Sequence, residues 1–137
     1  MLRRLDPEQA GPLWLAATTG ACLDGPILWR VHLPPVNAPA LAGTVEAFGG
    51  RWTMDWGGGM MWVAVPDDVE GEHLRAAAAA LGGEAALVRA PEGMRARIAP
   101  FQPRAAPVMA LEARVRRAFD PCGVFETGRF LDNSDAD

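Results

Sequence analysis

The chain is poor in the residues that most often hold metals or build nucleophiles. It has two cysteines, Cys22 and Cys122, far apart and in no Cys-x-x-Cys pair, which excludes a disulfide framework and a cysteine zinc site. Both are expected as reduced thiols. It has two histidines, His32 and His73, with no serine, cysteine or carboxylate at a spacing that defines a catalytic triad or a metal cluster. No metal is expected. Lysine is absent, every basic residue being arginine, and the net charge of -4 gives no electrostatic reason for nucleic acid as a partner. The one dense basic cluster, Arg114, Arg116 and Arg117, reads as side chains complementing the negative end of a helix. No apolar run is long enough to cross a bilayer, and the first residues lack the basic-then-apolar design of a signal peptide. The expectation is a soluble, cytoplasmic chain without a membrane span.

What is present is a hydrophobic half, 50% of 137 residues, enough for one domain with a core of its own. The stretch from Arg51 to Val65 reads as a hairpin: two runs rich in tryptophan, methionine and valine flank Gly57, Gly58 and Gly59, which supply the positive φ of tight turns. Upstream, Ile27, Trp29, Val31 and Leu33 alternate with Leu28, Arg30 and His32, the period of a strand. Pro34 and Pro35 end it. Asn37 is placed to cap a helix with Leu41, Val45 and Phe48 on its apolar side and Gly49 and Gly50 as its stop. A second helix opens near Pro66, carries Leu74, Ala77, Ala78 and Leu81, and ends at Gly82 and Gly83. Glu84 to Arg89 forms a fourth strand.

The order strand, helix, strand, strand, helix, strand predicts an α+β, ferredoxin-like βαββαβ fold. Its four-stranded antiparallel sheet has the order 4-1-3-2, both helices on one face and the other face bare. Around this core, residues 25–104, an N-terminal helical segment spans 1–24 and a C-terminal helix and tail span 105–137. The first helix starts at Asp6-Pro7 or at Pro12, with Leu13, Trp14 and Ala17 toward the core and Gly20 as its stop. Pro91 to Pro107 reads as an ordered loop along the sheet edge. The last helix, from Pro107, has Val108, Leu111, Val115 and Ala118 or Phe119 on one face and ends at Asp120 and Pro121.

Gly57 to Gly59 precede a strand and no Lys-Ser/Thr pair, so they form a turn and not a phosphate cradle. His73 belongs to a charged helix surface. His32 shares the bare face with Arg30, Thr53 and Asp55, a grouping equally expected of a solvated face or of a site. Trp29 belongs to the core. Trp52, Trp56 and Trp62 are too many for the space beneath so small a sheet, which leaves aromatic surface for another domain, another subunit or a flat ligand.

Four segments carry a family likeness: LWRVHLPP at 28–35, DWGGGMMW at 55–62, GGEAALVRA at 82–90 and RRAFDPCGVFETGRF at 116–130. In this order they resemble the C-terminal region of the FAD-binding subunit of bacterial glycolate oxidase, among the FAD-linked oxidases. The resemblance implies a cap domain whose ferredoxin-like sheet closes over a flavin held by a separate N-terminal domain. FAD is then a cofactor of the parent enzyme, and this chain alone binds none and is inert. The implied partners are the missing FAD-binding domain, other glycolate oxidase subunits, which give a route to membrane association, and a small 2-hydroxyacid. The residues facing substrate or flavin are Arg30, His32, Thr53, Asp55 and Trp56, with Arg30 placed to meet a carboxylate and His32 or Asp55 to orient it or exchange a proton. Phe125 and Arg129 dock the flavin domain. The chain departs from the family pattern at Met61, Glu84 and Glu126-Thr127, so no catalytic residue is carried over. The alternative from another class is a stand-alone ferredoxin-like module that dimerises through its open sheet face.

Overall fold

The computed structural model describes residues 4–66 and 71–125. Helix α1, Pro7–Thr19, starts at the first of the two expected positions because the Asp6 carboxylate caps it, accepting from Gln9 N at 2.8 Å. Strand β1 is Ile27–His32, followed by a 3-10 turn over Pro35–Asn37 and helix α2, Ala38–Ala47. Asn37 does not cap α2 with its side chain. Its Nδ2 donates instead to Leu81 O at 2.9 Å, tying the start of α2 to the end of the following helix. The hairpin is β2, Arg51–Asp55, and β3, Met60–Val65. Helix α3, Gly71–Ala80, and strand β4, Glu84–Arg89, complete the βαββαβ unit. A short helix α4, Glu92–Arg95, and a longer α5, Ala106–Phe119, follow.

The four strands lie in the order β2-β3-β1-β4, every neighbour antiparallel. The fold is ferredoxin-like. One sheet face carries Ile27, Trp29, Val31, Met61, Val63 and Ala85 against Leu41 and Val45 of α2 and Leu74 and Ala78 of α3, all buried. The small residues of α3 let it lie close: a Cβ on Gly71 would stand 2.6 Å from the Trp29 indole. Arg75, also from α3, is buried over the same ring at 5.2 Å and donates to Ala99 O. Burial holds its pKa below the ordinary guanidinium value, with Glu72 acting in the opposite sense.

The second face differs from expectation in not being bare. Leu28, Met60, Trp62 and Ala64 are buried there with Leu23 as a second cluster. The cover is the segment that leads from α1 into β1. Gly20, at φ +68°, turns the chain so closely over Trp62 that an added Cβ would stand 2.9 Å from indole Cδ2. Arg89 donates to Leu23 O at 3.1 Å, and Arg51 donates to Asp24 O, so both edge strands hold this segment down. A large indole at the centre of a sheet face is a strong reason for that cover, since it removes more apolar area from water than any residue beside it.

Two helices also depart from their expected packing. Leu13 and Trp14 of α1 are exposed and Ala17 is only half-buried. Pro12 and the small residues around it leave α1 without a continuous apolar stripe. In α5, Val108, Leu111, Val115 and Phe119 are exposed, and no residue of the helix is buried. The loop before it runs along the β4 edge, where Leu87 N donates to Pro100 O at 2.7 Å and Ala85 N to the Gln102 side chain at 3.1 Å. No helix among the described residues is long and apolar enough to cross a membrane.

Candidate functional site

Period-two alternation puts Arg30 and His32 of β1 on the second face, beside Ala86 and Glu84 of β4, their partners in register. Helix α5 and the loop 99–104 stand beside these four residues and border a half-open cleft of about 890 Å³. Arg30, His32, Glu84 and Ala86 line the sheet side, and Met109, Ala110, Ala113 and Arg116 line the helix side. Arg104 braces the enclosure. Its guanidinium lies 3.1 Å from Glu84 on β4 and 3.4 Å from Glu112 on α5, so one side chain bridges strand and helix.

Arg30 has no carboxylate within ion-pair distance among the described residues, whereas Arg104 has two. Its exposed guanidinium borders a largely apolar cavity and keeps its five donors for an incoming anion. His32 is half-buried, and its ring meets Trp56 at a centroid distance of 5.3 Å with the planes tilted by 48°. Trp56 itself is exposed and holds a φ of +53°, the one positive φ at a non-glycine among the described residues. That conformation costs a bulky L-residue about 1–2 kcal/mol. Local hydrogen bonds fix it: the Asp55 carboxylate accepts from Trp56 N at 2.7 Å, and Gly59 N donates to Trp56 O at 3.2 Å.

The structure thus brings Arg30, His32 and Trp56 to one end of the sheet. Thr53 and Asp55 are on the same face but beyond β3: Thr53 pairs with Trp62, which pairs with Arg30, and Asp55 pairs with Met60, which pairs with His32. Two strand spacings, about 10 Å, separate each from β1. The buried Trp62 and Met60 lie between, so Asp55 reaches the His32 neighbourhood only by orienting Trp56. Phe125 is exposed beyond the end of α5, where its N–H donates to Asp120 at 2.7 Å. Arg129 lies outside the described residues. Glu84, Arg104 and Glu112, which shape the cavity, were not among the expected site residues. Arg104 sits in a proline-rich loop without periodicity, and only the alternation of β4 could have pointed to Glu84.

Among the described residues no group of His, Cys, Asp and Glu is arranged to hold a metal ion, and both cysteines are exposed free thiols. The Trp62 Nε1 is buried without a hydrogen-bond partner. Comparison with known proteins gives the site a context. The chain is similar to glycolate oxidase subunit GlcE of Escherichia coli strain K12. The two are 31% identical over 102 residues, 74% of this chain and 25% of GlcE. The chain therefore spans about a quarter of the length of GlcE. No family profile matches the sequence, and no solved structure matches it.

Proposed function

We propose that this chain is the C-terminal cap of an FAD-linked 2-hydroxyacid oxidase subunit, related to glycolate oxidase, and that the Arg30–His32 end of its second sheet face, left uncovered by the segment before β1, meets the substrate beside the flavin. The similarity to GlcE supports the oxidase reading. The observation that carries the role of the face is Arg30, a guanidinium without a carboxylate partner among the described residues at the wall of an apolar cavity.

The residues present fit one side of such a site only. The glycines at 57–59 lead from a 3-10 turn into β3, not into a helix, so they offer no helix N-terminus to a pyrophosphate. The dinucleotide is held by another domain, and this chain supplies the substrate side. When bound, FAD would supply the two-electron acceptor needed to convert a 2-hydroxyacid to a 2-oxoacid, leaving the hydroxyl proton for residues of this chain to take. Arg30 takes the substrate carboxylate in a bidentate fork and thereby fixes the position of Cα. His32, two residues along the same strand and about 7 Å away between Cα atoms, is within side-chain reach of the hydroxyl and receives its proton. Trp56, in ring contact with His32, orients that imidazole. Other glycolate oxidase subunits are partners in this reading. The alternative, a stand-alone module that dimerises through this face, would have to use the same Arg30–His32 end of it, because Leu28, Met60, Trp62 and Ala64 are covered.

The test is Arg30→Met in the native flavoprotein assembly. Loss of a charge-assisted, bidentate pair is worth about 1.5–3 kcal/mol, or roughly 10- to 100-fold in kcat/KM, and Arg30→Lys should recover part of it. Unchanged KM and kcat would remove the carboxylate role. Tight binding of FAD by the isolated chain, followed by flavin fluorescence, would contradict the cap reading itself.

A further inference from the structure

We infer that the enclosure between β4 and α5 selects 2-hydroxyacids bearing an extended apolar side group over glycolate, an inference that rests on the 2-hydroxyacid reading above. A cavity of about 890 Å³ is near the upper end of the range that holds drug-sized ligands. Glycolate has five non-hydrogen atoms and needs only the Arg30 and His32 corner. The walls beyond that corner are of a different chemistry: Ala86 from β4, Phe101 and Pro103 from the loop, and Met109, Ala110 and Ala113 from α5. Short side chains on both the strand and the helix leave depth between them, and a methionine adapts to variable apolar shapes.

The charged groups bordering this region are largely committed to each other. Glu84 and Glu112 are both held by Arg104, and Arg116, which also lines the cleft, has an interaction of its own, so Arg30 is the anchor at the sheet end. A carboxylate head on Arg30 therefore lets the rest of the molecule lie along the apolar walls of Ala86, Met109, Ala110 and Ala113. A substrate ending at Cα leaves those walls facing water. Each methylene placed there is worth about fourfold in kcat/KM, so a side chain of four methylenes is expected to gain on the order of 100-fold over glycolate.

The experiment uses the native flavoprotein assembly, isolated from cells through a tag on this chain. Dye-linked oxidation is followed for glycolate, lactate, 2-hydroxybutanoate, 2-hydroxyhexanoate and 2-hydroxyoctanoate. A rise of kcat/KM with chain length, and a fall of the hexanoate-to-glycolate ratio by at least tenfold in Ala113→Phe, supports the inference. No residue of α5 is buried, so this substitution does not disturb the core. A flat profile, a profile highest at glycolate, or an unaltered ratio in Ala113→Phe overturns the inference and leaves the 2-hydroxyacid reading standing. Absence of turnover with all five acids overturns the reading beneath it and the inference with it.

Discussion

Replacing Gly20 by alanine tests whether the second sheet face is covered as the structure shows. Gly20 stands at φ +68°, and a Cβ there would lie 2.9, 3.0 and 3.1 Å from three atoms of the Trp62 indole. The left-handed backbone alone costs alanine about 1 kcal/mol. The indole is buried, flanked on its own face by Arg30 and Thr53 in register, and cannot swing aside without opening the cluster around Leu23. Overpacking in the lower part of the usual range adds about 1–2 kcal/mol, so the total is about 2–3 kcal/mol. For a domain of this size that lowers Tm by about 8–12 °C, measured by thermal denaturation followed by circular dichroism. Gly20→Asn separates the two causes, since asparagine tolerates the left-handed region but still brings a Cβ. Gly20→Asn should therefore remain destabilised by about 1–2 kcal/mol. If it is as stable as wild type, Gly20 does not lie against Trp62, and the account of the second face is wrong.

Other substitutions probe the remaining parts. Trp56→Asn relieves a strained backbone at an exposed position and should raise stability by about 0.5–1 kcal/mol in chemical denaturation while weakening activity in the native assembly. Leu41→Ala removes a fully buried side chain between α2 and the sheet and should cost about 2–5 kcal/mol in urea unfolding. Arg104→Ala breaks two ion pairs between half-exposed groups, so it should change stability by less than about 1 kcal/mol. Its larger effect should be on hydrogen exchange in 106–119, which rises if Arg104 is what steadies α5.

The core fold was legible because local signals agreed. Period-two alternation in Ile27–Leu33 and in Glu84–Arg89, glycine stops at 49–50 and 82–83, and the glycine-filled hairpin each marked an element found in the structure. Topology then followed from the handedness of the crossovers. The flanking helices were less legible because an apolar spacing states only that a helix has an apolar side. Val108, Leu111 and Val115 recur as a buried helix would require, yet nothing in their spacing says whether the chain packs that side away. For α1 the glycine stop was visible, but not that Gly20 would be pressed onto Trp62, a contact between residues far apart in sequence that no periodicity encodes.

The hairpin resolves the count of tryptophans in a way composition could not. Trp52 packs on the helix-covered face, Trp62 is buried on the other, and Trp56 stands exposed at the turn between their strands. The first two follow from alternation along β2 and β3, and each contributes to a core cluster on one side of the sheet. Trp56 follows from neither, since it occupies a position where glycine or asparagine would cost less backbone energy. A residue kept in an unfavourable conformation, with a carboxylate positioned to hold it there and its ring against His32, contributes little to stability that a smaller residue would not. Its use is therefore to be sought at the cavity end of the sheet, where His32 and Arg30 already stand. That placement makes the Trp56 substitution the sharpest way to separate folding from function in this chain: stability and activity are expected to move in opposite directions, and movement in the same direction would return Trp56 to the role of a turn residue.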